Sequence, residues 1–230
     1  MKYFRLFHSA GPEVGFVPQV YEATVNFDIY HPNSAYHLNF AEADESTLWP
    51  KPKLCKRAKK TDLLSVSFMS LSGKLLISSK LNNILSKSKT TGVQSVKAEL
   101  MVKKGKTEEY WIVNPFLSEL SFIDCAYSHF GFMDSMGTNI LEEIQFSSPN
   151  NFIEAYRDNQ KSAIKNPYPN HRPLVINKIA FHENLEIDFF SVMPLIYGGI
   201  GFFVSEKLRD EIESAGCTGI VFKEPNEHYP

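Results

Sequence analysis

Apolar and polar positions alternate in short runs along most of the chain, the signature of strands rather than of long amphipathic helices. KYFRLFH (2–8) reads as a first strand closed by Gly11-Pro12. VYEATVNFDIY (20–30) reads as a second, closed by the turn His31-Pro32-Asn33. EEYWIVNPF (108–116) is strand-like up to Pro115. ILEEIQF (140–146), PLVINKIAF (173–181) and LEIDFFSV (185–192) supply further strands. SPNNFIEAYRDNQKSAI (148–164) opens with Ser, Pro and Asn, predicts a short helix, and is broken by Asn166-Pro167-Tyr168-Pro169. SFIDCAYSHFGFMDSMGTN (121–139) is aromatic and glycine-bearing and has no clear period.

One pattern occurs twice. ISSKLNNILSKSKTTGVQ (77–94) aligns without gaps on VSEKLRDEIESAGCTGIV (204–221), with identities at Ser78/Ser205, Lys80/Lys207, Leu81/Leu208, Thr91/Thr218 and Gly92/Gly219. In each copy an apolar run stops at a Ser whose hydroxyl can accept a free amide of a first helical turn. Glu206 in the second copy sits near the positive end of that helix, whereas the first copy has Ser79 there. Leu208, Ile212 and Ala215 recur at helical spacing and are expected to face the core. Gly216 ends the helix, and Thr218-Gly219 turns the chain into the next strand. The unit predicted twice is strand–short helix–strand.

The expected fold class is therefore α+β, with a mixed or largely antiparallel sheet and a few short helices. Eighteen Phe and ten Tyr against two Trp favour sheet packing. The stretch 41–60, with nearby prolines and an acidic then a basic cluster, is the expected junction. Residues 1–60 form a β-rich N-terminal segment beside an α+β domain of 61–230, or the whole of 1–230 is one compact domain. MKYFRLFHSAGPEVGF lacks the apolar core of a secretion signal, and no apolar run approaches the roughly 18 residues of a membrane helix. Cys55, Cys125 and Cys217 are widely spaced, with no C-x-x-C pair. A reducing, cytoplasmic location is expected.

Charge divides unevenly along the chain. Residues 51–106 hold fourteen Lys and Arg against two acids, Asp62 and Glu99, although the chain as a whole carries a net charge of −2. If folding keeps the blocks apart, two fields of opposite sign result, and such fields steer partners.

Candidate chemistry is sparse. Seven histidines (His8, His31, His37, His129, His171, His182, His228) show no H-E-x-x-H and no helical pairing, so no metal and no cofactor is expected. Cys125 lies four residues before His129, yet its Ile, Ala, Tyr and Phe surroundings suit a buried thiol better than a nucleophile. Tyr197-Gly198-Gly199-Ile200-Gly201 precedes a strand, whereas a phosphate-cradling loop opens a helix. KPKLCKRAKK (51–60) would suit nucleic acid, but only Trp49 nearby could stack on a base, so a solvated loop is the plainer reading. HFGFMDSMG (129–137) fits a core turn or an exposed recognition loop.

The apolar strand, [VI]-S-x-K-L, helix, TG turn and F-x-x-P end at 201–225 stand in order behind YWIVN (110–114) and the D-x-x-x-S of Asp124 to Ser128. Together they resemble the Imm-eleven/Imm-forty-three group of bacterial immunity proteins over about residues 61–225. That resemblance implies a non-enzymatic protein that binds and neutralises a cognate toxin as a stoichiometric inhibitor, the toxin being encoded by a neighbouring gene. Candidate interface residues are Glu42, Asp44 and Glu45, then Phe130, Phe132, Met133 and Asp134, then Asp210, Glu211 and Glu213. The acids would occupy a nuclease toxin's basic cleft as phosphate mimics; against an acidic toxin face, the 51–106 block would serve instead. The alternatives are a nucleic-acid-binding regulator using that basic block and an enzyme with no recognisable motif.

Overall fold

Along the chain of the computed structural model run β1 (Tyr3–His8), β2 (Val20–Thr24), β3 (Lys51–Leu54), β4 (Leu63–Leu64), β5 (Leu75–Ser78), α1 (Ser79–Leu85), β6 (Val93–Met101) and β7 (Thr107–Pro115). Then follow β8 (His129–Met133), β9 (Ile140–Ile144), α2 (Pro149–Lys165), β10 (Leu174–Lys178), β11 (Phe189–Leu195), β12 (Gly199–Ser205), α3 (Glu206–Ser214) and β13 (Ile220–Lys223). The structure describes every residue except Asn39, Ser135, Gly137, 166–169, 196–198 and 228–230, together with the Lys104 side chain. The Asn166–Pro169 breaker, Tyr197-Gly198 and His228 lie outside the described residues.

Two sheets form, and the class is α+β with mostly antiparallel pairing. One has seven strands in the order β13-β1-β12-β11-β10-β8-β9, the other six in the order β2-β3-β6-β7-β5-β4. The second sheet curls until its edges meet, where Val20 bridges Val66 just past β4. Buried Gln19 fastens that seam: its side chain donates to Lys59 O at 2.7 Å and to Thr61 Oγ1 at 2.9 Å, and accepts from Ser65 N at 3.0 Å.

Strand alternation sorts the core into three layers. Phe203 and Phe190 point to one face of the seven-stranded sheet, under Phe152 of α2. Phe202, Val204 and Phe189 point to the other, where they meet Ile77, Val113, Leu81 and Leu208 between the two sheets. Leu76, Ile112, Leu100 and Tyr110 fill the inside of the curled sheet.

The repeat is real in three dimensions. β4–β5–α1–β6 and β11–β12–α3–β13 have the same pairing, with Leu63 and Leu64 opposite Ile77 and Leu76 in one copy and Phe189 and Phe190 opposite Val204 and Phe203 in the other. β7 lies between β5 and β6, and in the second copy that place is taken by β1, whose Tyr3 is opposite Ser205 as Tyr110 is opposite Ser78. The first sixty residues are thus divided: β1 belongs to the seven-stranded sheet and β2 and β3 to the other. A boundary at residue 60 coincides with neither sheet.

Several expectations are corrected. The second strand ends at Thr24, because Asp28 accepts from Tyr30 N and its carbonyl from His31 N, folding 28–31 into turns. The 41–60 stretch contains β3 despite Pro52; this strand meets β6 at one registered pair, Lys53 with Met101, so the missing amide is tolerated. HFGFM is β8, inside a sheet. Ala215 is exposed rather than core-facing, since α3 stops at Ser214 and Gly216 takes a φ of 65°.

Candidate interaction surfaces

The α3 helix forms because Ser205 caps it, its Oγ accepting from Leu208 N at 3.2 Å, and because Leu208 and Ile212 are buried between the sheets. That leaves Glu206, Asp210, Glu211 and Glu213 exposed. Arg209 folds back over the Phe4 ring, 4.0 Å from its centroid, and its guanidinium reaches Asp210 at 2.6 Å and Glu206 at 3.6 Å. Glu211 and Glu213 make no side-chain hydrogen bond or ion pair among the described residues, although the Glu213 charge attracts Arg209. Arg209 was not among the sequence candidates, although its i,i+3 spacing from Glu206 is the signal that finds it.

Comparison of the two copies separates what the fold needs from what it does not. Both keep the Ser cap and the buried Leu. Each cap is also bonded to an aspartate: Ser78 donates to Asp62 Oδ1 at 2.6 Å and Ser205 to Asp188 Oδ1 at 2.7 Å. Each aspartate then crosses to the other copy, Asp62 accepting from Thr218 N at 2.8 Å and Asp188 from Lys89 N at 3.1 Å. The acids of α3 are not part of this frame, because the aligned positions in the first copy are Ser79, Asn83, Ile84 and Ser86.

The other candidates fall elsewhere. Glu42, Asp44 and Glu45 are exposed on a loop held to the curled sheet by Asn114 Nδ2 on Ala41 O at 2.9 Å and by Gln94 on Ala43. Asp44 is engaged in its own turn by Ser46 and Thr47. This loop attaches at Asn114, four residues along β7 from the Tyr110 end where α1 starts. No hydrogen bond or ion pair among the described residues joins it to α3. Phe130 and Met133 are buried in the core, Phe132 is half-buried, and Asp134 closes a turn by accepting from Thr138 N at 2.7 Å and Thr138 Oγ1 at 2.6 Å. Those bonds hold its carboxyl down to about 2. The segment is a core strand with a capped turn, so Phe130 and Met133 are corrected from interface to core.

Basic and acidic blocks intermix on folding. Lys51, Lys53, Lys60 and Lys97 hold Glu99, Glu22, Glu108 and Glu109 at 2.5–2.7 Å. Cys125 is buried, and its burial pushes the thiol up, away from thiolate, while His129 is exposed. Gly199 and Gly201 start β12, and a Cβ on Gly201 would collide with Leu195 and lie 2.8 Å from Phe203 Cε2, so this glycine serves packing. Among the described residues, no three His, Cys, Asp or Glu side chains gather as a metal would require. None of their helices is long and apolar enough to cross a membrane. No protein-family model matches the chain, and no curated protein matches it.

Proposed function

We propose that this chain is an immunity-type inhibitor that binds a cognate bacterial toxin in the cytoplasm and neutralises it stoichiometrically, without turnover. The outward face of α3 is the contact surface, and the toxin presents a basic face to it. One observation carries this reading. Glu211 and Glu213 stand in the C-terminal half of α3, at the negative end of the helix dipole, where the physics of the helix favours cations. The first copy has Ile84 and Ser86 at these places and forms its helix without an acid at either. Carboxylates that the helix dipole disfavours and the first copy does without are explained by a partner that favours them. Charge of this kind speeds encounter with a basic surface, which suits an inhibitor that must outrun its target's damage. The test is titration of a fixed amount of the toxin encoded beside the chain. Inhibition that saturates at a fixed molar ratio supports the reading, whereas protection by a small fraction of an equivalent means turnover and overturns it.

A further inference from the structure

The wall of the curled sheet parts at one place. Beyond the single pair Lys53 with Met101, β3 and β6 diverge, and a cleft of about 380 Å³ opens between Tyr21, Leu54, Lys56, Met101 and Lys103. A second cleft of about 240 Å³ shares Tyr21, Cys55 and Lys56 with the first and reaches Phe16 and Arg57. The two make one elongated depression. Its rims carry aromatic rings that are 40% exposed at Phe16 and 49% at Tyr21.

Charge here differs from the rest of the basic block. The strand lysines each hold a carboxylate, and Glu22, which also lines the cleft, is engaged by Lys53 at 2.7 Å. Lys56, Arg57, Lys103 and Lys106 are exposed and meet no carboxylate among the described residues. Four of the cations left over from folding therefore lie together at this depression and at the β6–β7 turn beside it. The acidic 41–45 loop is fixed at the opposite end of the same hairpin.

We propose that the depression binds an extended acidic segment of a partner protein, its carboxylates on Lys56, Arg57 and Lys103 and an apolar side chain between Leu54 and Met101. Four unneutralised cations select an anionic partner. The apolar lining and exposed rings select one that also offers side-chain surface, which a free anion does not. Elongation selects a chain rather than a compact ligand. Polypeptide is favoured over nucleic acid because a strand of phosphates carries charge at every residue and would meet Glu22 in the cleft, whereas an acidic peptide spaces its charges and places apolar groups between them. This surface is separate from α3, so the two proposals fail independently.

The test is fluorescence anisotropy with the full chain and a labelled decapeptide of alternating Glu and Tyr, run beside a labelled decameric oligo-uridine. Saturable peptide binding is expected, at least tenfold weaker in K56E/K103E and at about 0.5 M salt, and unchanged in K161E on α2. Neither lysine has a partner to lose, so thermal melting of K56E/K103E should match the parent; the milder K56A/K103A variant repeats the comparison if it does not. Absence of peptide binding, peptide binding that is equal in these variants, or tighter binding of the RNA through the same lysines overturns the proposal.

Discussion

The Tyr3 and Tyr110 hydroxyls occupy the same place in the two copies of the repeated unit: Tyr3 donates to Ile187 O at 2.7 Å and Tyr110 to Thr61 O at 2.9 Å. Each acceptor directly precedes the aspartate that bonds the capping serine, Asp188 in one copy and Asp62 in the other. A strand at the chain's start thus completes a unit whose remainder lies near its end. The copies exchange bonds through their aspartates, which ties the two sheets together.

Tyr3→Phe and Tyr110→Phe should each lower stability by about 1 kcal/mol, the scale of one hydrogen bond to a part-buried carbonyl. Urea denaturation of the two variants checks this, and similar shifts in midpoint are expected because the bonds are equivalent. A deletion of residues 1–8 removes the strand between β12 and β13 and should abolish the cooperative transition.

The strand–helix–strand units were legible because caps, apolar spacing and the Thr-Gly turns are local signals. Ser78 and Ser205 are caps, and the helices start beside them. The place of β1 was not legible: YFRL resembles YWIV only once Tyr3 and Tyr110 are known to face the two serines. Pro52 hid β3, since a proline in a run argues against a strand unless the run barely pairs on one side. The α3 acids could be read as charged, but that Glu211 and Glu213 have no acidic counterpart in the first copy emerged only from the register with α1. Tyr21, Lys56 and Lys103 lie far apart in sequence, and only the curling of the sheet brings them to one depression.

The two caps should differ in cost. Ser205 is fully buried and Ser78 is not. Ser78→Ala loses a cap, about 1 kcal/mol. Ser205→Ala also leaves buried Asp188 Oδ1 without its donor, so a loss of about 2 kcal/mol is expected. Chemical denaturation that ranks Ser78→Ala as the more harmful would contradict this account of the cores.

Stability should rise with pH above neutrality through Lys74. Its ammonium lies 3.2 Å from Leu38 O, and desolvation pushes it down to about 8 from its usual 10.5. The unfolded chain therefore binds more protons than the folded one between these values, and the slope of stability with pH is positive there. The contribution is complete above pH 10.5 and lost as pH falls through 8. Burial also pushes Tyr3 up to about 12, so stability falls again once pH exceeds 10, where the unfolded tyrosine ionises. Comparison with Lys74→Met isolates the first effect: the difference in melting temperature between variant and parent should shrink steadily from pH 8 to pH 10. A difference independent of pH would exclude Lys74 as its source.

Reversing Glu211 and Glu213 gives the sharpest separation of function from fold. Both carboxylates are exposed and make no side-chain hydrogen bond or ion pair among the described residues, so E211K/E213K removes only the charge attraction of Glu213 for Arg209. It places cations at the end of α3 where the dipole favours them, which offsets the lost attraction for Arg209, so the melting temperature should change little. Toxin capture should fall in the same variant. Steering acts on encounter, so the association rate should drop at least tenfold at low salt while dissociation changes less. The gap between variant and parent should close as salt shortens the screening length from about 8 Å at 0.15 M to about 3 Å at 1 M. The first copy supplies the control: S86K alters the exposed residue aligned with Glu213, just past α1, and its association rate should stay that of the parent. Stopped-flow association of toxin with the three proteins at several salt concentrations measures all of this. A variant as stable as the parent and slower to bind shows that the acids serve the partner; equal rates for E211K/E213K and the parent would remove α3 from the interface.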